Sequence, residues 1–208
     1  MSADPNTEYL SDGISESIIN SLSRLPNLRV KSLRSVLRYK GQQVDPQAVG
    51  RELNVKAVVL GRLTQQGDGL AISTELVDVR DNRHLWDDQY SRKVPDILVV
   101  QNDIARQISD RLRLRLSGEE KKLLAKPYTE NFEAFRLYSL GNYYFRQNTK
   151  EGFEKSIESL KQAIKIAPNY ALAYAGLAGN YQFMMSRGFS FPKEYEPEVE
   201  RGPQGVTA

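Results

Sequence analysis

The chain has 208 residues, 40% apolar and 26% charged, the balance of an ordinary globular protein with room for one large domain or two small ones. Its 29 basic and 26 acidic residues leave a net charge of +3, too small a surplus to indicate a nucleic-acid partner by itself. Cysteine is absent, which excludes disulfides, thiol nucleophiles and cysteine metal sites; with no run of about 18 apolar residues and no secretory leader, the chain as given is expected to be soluble.

The first predicted element is a helix in SDGISESIINSLSRLP, where Ile14, Ile18, Leu22 and Leu25 recur at spacings of three and four behind a capping Ser11 or Asp12. Pro26 ends it, and NLRVKS then reads as a short strand. DPQAVGRELN carries the signals of a short helix, with Asp45 as N-cap, Pro46 at its first position and Ala48, Val49 and Leu53 as its apolar side.

VKAVVLGRL and LAISTELVDV are strands joined by TQQGDG, whose Gly-Asp-Gly suits a tight hairpin turn. Leu70, Ile72 and Leu76 point to one face. After the turn RDNR, HLWDDQYSRK supplies a third strand with His84, Trp86, Asp88 and Tyr90 on one face, completing an antiparallel meander. PDILVVQNDIARQISDRLRLRL follows as a helix with the stripe Ile97, Val100, Ile104, Ile108 and Leu112. Its RLRLRL end is read as the last helical turns, closed by Gly118.

From Tyr128 onward the strand signals stop. Three helices are predicted, over 130–147, 149–167 and 169–187, and the charged SGEEKKLLAKP before them is a linker or helical extension. The tail at 191–208 is expected to have no fixed structure. LYSLGNYY at 137–144 is echoed by YAGLAGNY at 174–181, so that Leu140, Gly141 and Tyr144 correspond to Leu177, Ala178 and Tyr181 at a period of 37 residues. The echo resembles the tetratricopeptide repeat, usually about 34 residues long, with Ser156, Leu160 and Ala163 at its small, large and small positions and the extra residues in QNTKEGF. Gly141, Ala163 and Ala178 would let helices approach closely while Tyr144 and Tyr181 fill the gaps.

The first half also resembles a family. EYLSDGISESIINSLSRLPNLRVKSLRSVLRYKG, VGRELNVKAVVLGRL, ELVDVRDNRHLWDDQYSR and QNDIARQI are similar, in that order, to the TolB-amino-terminal-like (FlgO-related) domain. That family often precedes tetratricopeptide repeats in the C-terminal regions of bacterial serine/threonine kinases, adenylate cyclases and winged-helix regulators. The resemblance implies an opening strand upstream of SADPNTEYLSDG that is missing here, leaving an unpaired sheet position that invites another chain. Helix 169–187 likewise expects a partner helix, so the chain reads as a piece of something longer.

Chemistry is sparse. His84 is the lone histidine, Asp87 and Asp88 face opposite ways in a strand, and Asp12 with Glu16 reads as a solvated first turn of a helix. The glycine-containing turns match neither the phosphate loop nor the dinucleotide fingerprint, and no kinase or hydrolase signature occurs. Arg106, Arg111, Arg113 and Arg115 cluster on one helix, with Arg34, Arg38 and Lys40 as a second basic group; solvated faces are the simpler account, and a nucleic-acid-associated regulator is the further alternative.

The resulting expectation is an α+β protein: a small α/β domain with a mostly antiparallel sheet over 1–117, a linker at 118–129, and an α-helical tetratricopeptide-repeat segment over 130–190. The expected role is non-catalytic and regulatory, with no cofactor and no metal. The repeat resemblance implies a groove for a protein or peptide lined by Phe135, Tyr138, Asn142 and Phe145 and by Leu172, Ala175, Gly179 and Gln182. Equally, Phe135 and Phe145 could pack on the preceding domain. The main alternative is the accessory part of a signalling kinase or adenylate cyclase, and self-association through the open sheet edge or last helix is a further expectation.

Overall fold

The computed structural model describes residues 5–189. The predicted unstructured tail at 191–208 lies outside them. The fold is α+β, and it divides between Pro127 and Tyr128 into two compact units.

In the first unit, helix α1 spans Pro5–Ser23 and buries Leu10, Ile14 and Leu22. It begins well before the predicted start, so neither Ser11 nor Asp12 caps it. Asp12 is buried about two turns inside, where Lys40 Nζ donates to it at 2.5 Å and also pairs with Glu8 at 3.0 Å. The solvated first turn expected for Asp12 is thereby corrected: a cation 28 residues away covers it.

NLRVKS is not a strand. It forms no ladder, because among the described residues no strand lies beside it; the chain turns instead into a short helix α2, Leu33–Val36, and a 3₁₀ turn, Leu37–Tyr39. Helix α3, Pro46–Leu53, starts as the sequence predicts: the Asp45 carboxylate accepts from the N–H groups of Gln47 and Ala48. Ala48 is exposed, whereas Val49 and Gly50 are buried and Leu53 half-buried, so the apolar side is rotated from the expected one.

Strands β1 (Ala57–Gln66), β2 (Gly69–Asp78) and β3 (Arg83–Lys93) form the antiparallel meander in the order β1-β2-β3. Gly67 takes φ 61° at the first position of the two-residue β1–β2 loop, a conformation that favours glycine. Leu70, Ile72 and Leu76 are buried on one face, opposite Trp86 and Tyr90 of β3. A bulge at Leu85 pairs Trp86 with Leu76 but His84 with Val77. His84 therefore leaves the phase of Trp86 and is exposed, contrary to the expected shared face. Asp78, buried after the bulge, accepts from the Arg80 guanidinium and backbone N–H, which hold its carboxyl down at about 2 and lock the β2–β3 turn.

Helix α4, Ile97–Arg111, packs against β3 and α1 through Ile97, Val100, Ile104 and Ile108, and the Tyr90 hydroxyl donates to Asp103 across that contact at 3.1 Å. It ends earlier than RLRLRL suggested. Arg113 adopts φ 54°, its N–H bonds Asp110 O and the N–H of Leu114 bonds Ser109 O, a Schellman cap. Gly118 closes nothing; it opens α5, Gly118–Ala125, behind a capping box of Ser117 and Glu120. Arg24 donates to Leu123 O and Lys126 O and so satisfies the carbonyls at the other end of α5.

The cap on α4 yields a prediction. A left-handed arginine is strained by its Cβ, so Arg113→Gly raises stability by about 0.5–1 kcal/mol. The same change at Arg115, which has no positive φ, lowers it slightly. Urea midpoints at constant m-value check both.

Candidate functional site

The second unit consists of α6 (Phe132–Arg146), α7 (Lys150–Ile166) and α8 (Ala171–Ser186). Local chemistry sets the first two starts: the Asn131 side chain accepts from the Ala134 N–H and the Thr149 hydroxyl from the Gly152 N–H. The C-terminus of α8 is closed by Gly188 at φ 68°, with the Gly188 N–H on Met185 O and the Phe189 N–H on Met184 O.

Leu160 of α7 is fully buried between a glycine from each neighbour. A Cβ on Gly141 of α6 would lie 2.9 Å from Leu160 Cγ, and one on Gly176 of α8 would lie 3.3 Å from both Leu160 methyl groups. The small residues at these points thus set how closely the three helices approach. Ala163 is buried as expected; Ala178 is exposed, and Gly176 takes the close-approach role that the 37-residue echo assigned to it. The reason is that the Ala178 side of α8 meets no further helix among the described residues.

Two apolar clusters hold the hairpins. Tyr138, Leu160, Ala163, Tyr170 and Ala173 form one, with the Tyr138 and Tyr170 rings 5.2 Å apart. Phe153, Ile157 and Met184 form the other, and Phe145, Tyr181 and Phe189 pack on it.

The eight residues expected to line a groove fall into three groups. Phe135 and Tyr138 are buried, at 3% and 6% exposure, so their rings serve packing. Phe145 is half-buried against Phe153 and Phe183, at 5.5 and 5.1 Å between ring centres. Asn142, Leu172 and Gly179 are half-buried, while Ala175 and Gln182 are exposed. Asn142 Oδ1 comes within 3.7 Å of the position of a Cβ on Gly176, which brings the α6 stripe to the α8 stripe. Of the eight, Ala175 and Gln182 stay exposed and Asn142, Leu172 and Gly179 partly so, and α8 carries no charged side chain.

Residues the sequence reading did not single out complete the exposed side of α8: Tyr174, Phe183 and Met185, at 39%, 41% and 60% exposure. The absence of charge across ALAYAGLAGNYQFMMS was the available signal.

The remaining candidates separate. Arg106 is paired with Asp103, and Arg113 and Arg115 lie beyond the end of α4, so the four arginines do not share one helix. Arg38 pairs with Glu52 and Lys40 with Asp12 and Glu8, which divides the second basic group as well. His84 Nε2 lies 3.4 Å from Asp87 in the open. Among the described residues no cluster of three potential metal ligands occurs, and no helix is long and apolar enough to cross a membrane.

No family model matches the chain. It is 32% identical over 179 residues, 86% of its length, to a Rhizobium meliloti (strain 1021) protein named "Putative adenylate cyclase 3". The chain spans 30% of that protein's length. A relative named as an enzyme overturns the expectation of a purely non-catalytic protein, and it agrees with the expected bacterial signalling context.

Proposed function

We propose that this chain works as a regulatory region of an adenylate-cyclase-type signalling enzyme. The observation that carries the reading is the similarity, over 86% of the chain, to the Rhizobium meliloti protein. Within it, we read α6, α7 and α8 as one and a half tetratricopeptide units, supported by the 37-residue echo and by the seat of Leu160 between Gly141 and Gly176. The strip of Asn142, Leu172, Ala175, Gly179 and Gln182 is where a protein or peptide partner would lie, with the amides holding its backbone.

The test is a segment exchange. In the Rhizobium meliloti protein, the stretch aligned with this chain is replaced either by this chain or by a flexible Gly/Ser linker of equal length, and cyclic AMP formation is measured. The reading expects this chain to preserve the rate and its regulation and the linker to abolish the regulation. If both replacements behave alike, the regulatory reading is lost.

A further inference from the structure

The turn between α4 and α5 breaks a local rule. Arg113, at φ 54°, occupies the left-handed cap position where glycine is free of strain. The cap is made by backbone bonds alone: the Arg113 N–H on Asp110 O at 3.0 Å and the Leu114 N–H on Ser109 O at 3.1 Å. Nothing in it calls for a long cationic side chain. A strained residue whose side chain does no work in the fold points to a use for that side chain outside it.

Arg113 has company. From Arg111 to Leu116 the exposure alternates: Arg111, Arg113 and Arg115 are exposed, while Leu112, Leu114 and Leu116 are half-buried. A second tight turn, closed by the Leu116 N–H on Leu114 O at 3.0 Å, sets Arg115 at its apex. The leucine side of the loop is thus turned to the protein and the arginine side to solvent. Among the described residues none of the three guanidinium groups has a hydrogen bond or ion pair, whereas Arg38, Arg80, Arg106 and Arg136 each hold a carboxylate. Glu120, the nearby acid on α5, is taken by the Ser117 N–H.

We propose that the Arg111–Arg113–Arg115 loop is a docking site for an acidic segment of a protein partner, whose carboxylates take the guanidinium groups as forked pairs. Other polyanions fit it less well. From Asp110 to Pro127 there is no aromatic side chain on which a nucleic-acid base could stack. An anionic membrane calls for about four to eight cations beside an outward apolar wedge, and here the leucines face inward. Three forks on a short, fixed loop suit a run of carboxylates.

The probe is a fluorescein-labelled deca-glutamate peptide, titrated with the 208-residue chain and followed by anisotropy. Salt is kept at about 50 mM, where exposed charges are weakly screened. Changing Arg111→Ala, Arg113→Gly and Arg115→Ala together is expected to weaken binding about tenfold, the product of three exposed pairs. The control triple Arg29→Ala, Arg34→Ala and Arg62→Ala removes three cations that are also exposed and unpaired among the described residues. It takes the same charge from the net +3, so general attraction falls equally, yet binding is expected to change less than about twofold.

Arg113→Gly alone separates recognition from structure. It is expected to raise the urea midpoint and to weaken peptide binding about threefold; an arginine that served only the fold would not move the two in opposite directions. Equal losses in the two triples overturn the proposal, as does a wild-type chain that leaves the peptide free. Tighter binding of a deca-thymidylate strand, or of phosphatidylserine vesicles, than of the peptide overturns it in favour of those partners. Should the loop triple fail to fold, Arg113→Gly decides alone.

Discussion

Replacing Phe153 by alanine is expected to cost about 3–5 kcal/mol, the largest single effect in the second unit. The ring is fully buried on α7 and packs within 5.5 Å of the Phe145 ring on α6, 6.5 Å of Phe183 on α8 and 6.1 Å of Phe189 beyond it, measured between centres. One side chain thus ties all three helices together. Its neighbours are themselves rings, held on α6, on α8 and on the segment just after α8, which limits how far they can collapse into the space it leaves. A loss of that size is a large share of the roughly 5–15 kcal/mol that stabilises a typical domain. Far-UV circular dichroism in urea would show an early loss of helix, and Phe153→Leu, which keeps most of the volume, should cost well under half as much. Equal midpoints for wild type and Phe153→Ala would show that the aromatic cluster does not hold the helices.

The second large effect is at Gly50. Alanine there has the better helix propensity, by about 0.5–1 kcal/mol, so an isolated α3 would gain from the change. The fold reverses that sign. A Cβ on Gly50 would sit 2.2 and 2.6 Å from the two Val79 methyl carbons and 2.9 Å from Val79 Cβ. Val79 is buried and β-branched, so it has little rotamer freedom with which to move aside. Gly50→Ala is therefore expected to destabilise by about 1–3 kcal/mol net. Removing the obstacle identifies the cause: Gly50→Ala with Val79→Ala should be less destabilised than the sum of the two single changes, by about 1–2 kcal/mol of coupling. Additive losses would place the cost elsewhere.

The groove stripe shows where a sequence stops being informative. Spacing placed Phe135, Tyr138, Asn142 and Phe145 on one side of α6, and Leu172, Ala175, Gly179 and Gln182 on one side of α8. Only the packing of Tyr138 on Tyr170 and of Phe145 on Phe153 and Phe183 turned rings inward and left Ala175 and Gln182 at the surface. A helix face covers about a third of a turn, and spacing alone does not say which part of that arc meets a neighbour.

By itself the sequence determined what is local. The Asp45 cap and Pro46 start α3, Gly67 makes the β1–β2 turn, alternation in LAISTELVDV makes β2, and the stripe from Ile97 to Ile108 makes α4. In each case the residues that cause the element lie within a turn or two of it. The tertiary structure alone decided that Asp12 is buried under Lys40, that NLRVKS finds no ladder, that Leu85 forms a bulge and swings His84 out of phase, and that Gly50 cannot tolerate a Cβ. Each of these depends on an atom brought to the spot from elsewhere in the chain or, for NLRVKS, on no strand lying beside it among the described residues; residue type and spacing state what a side chain can do, and the contact partner decides which of those things it does.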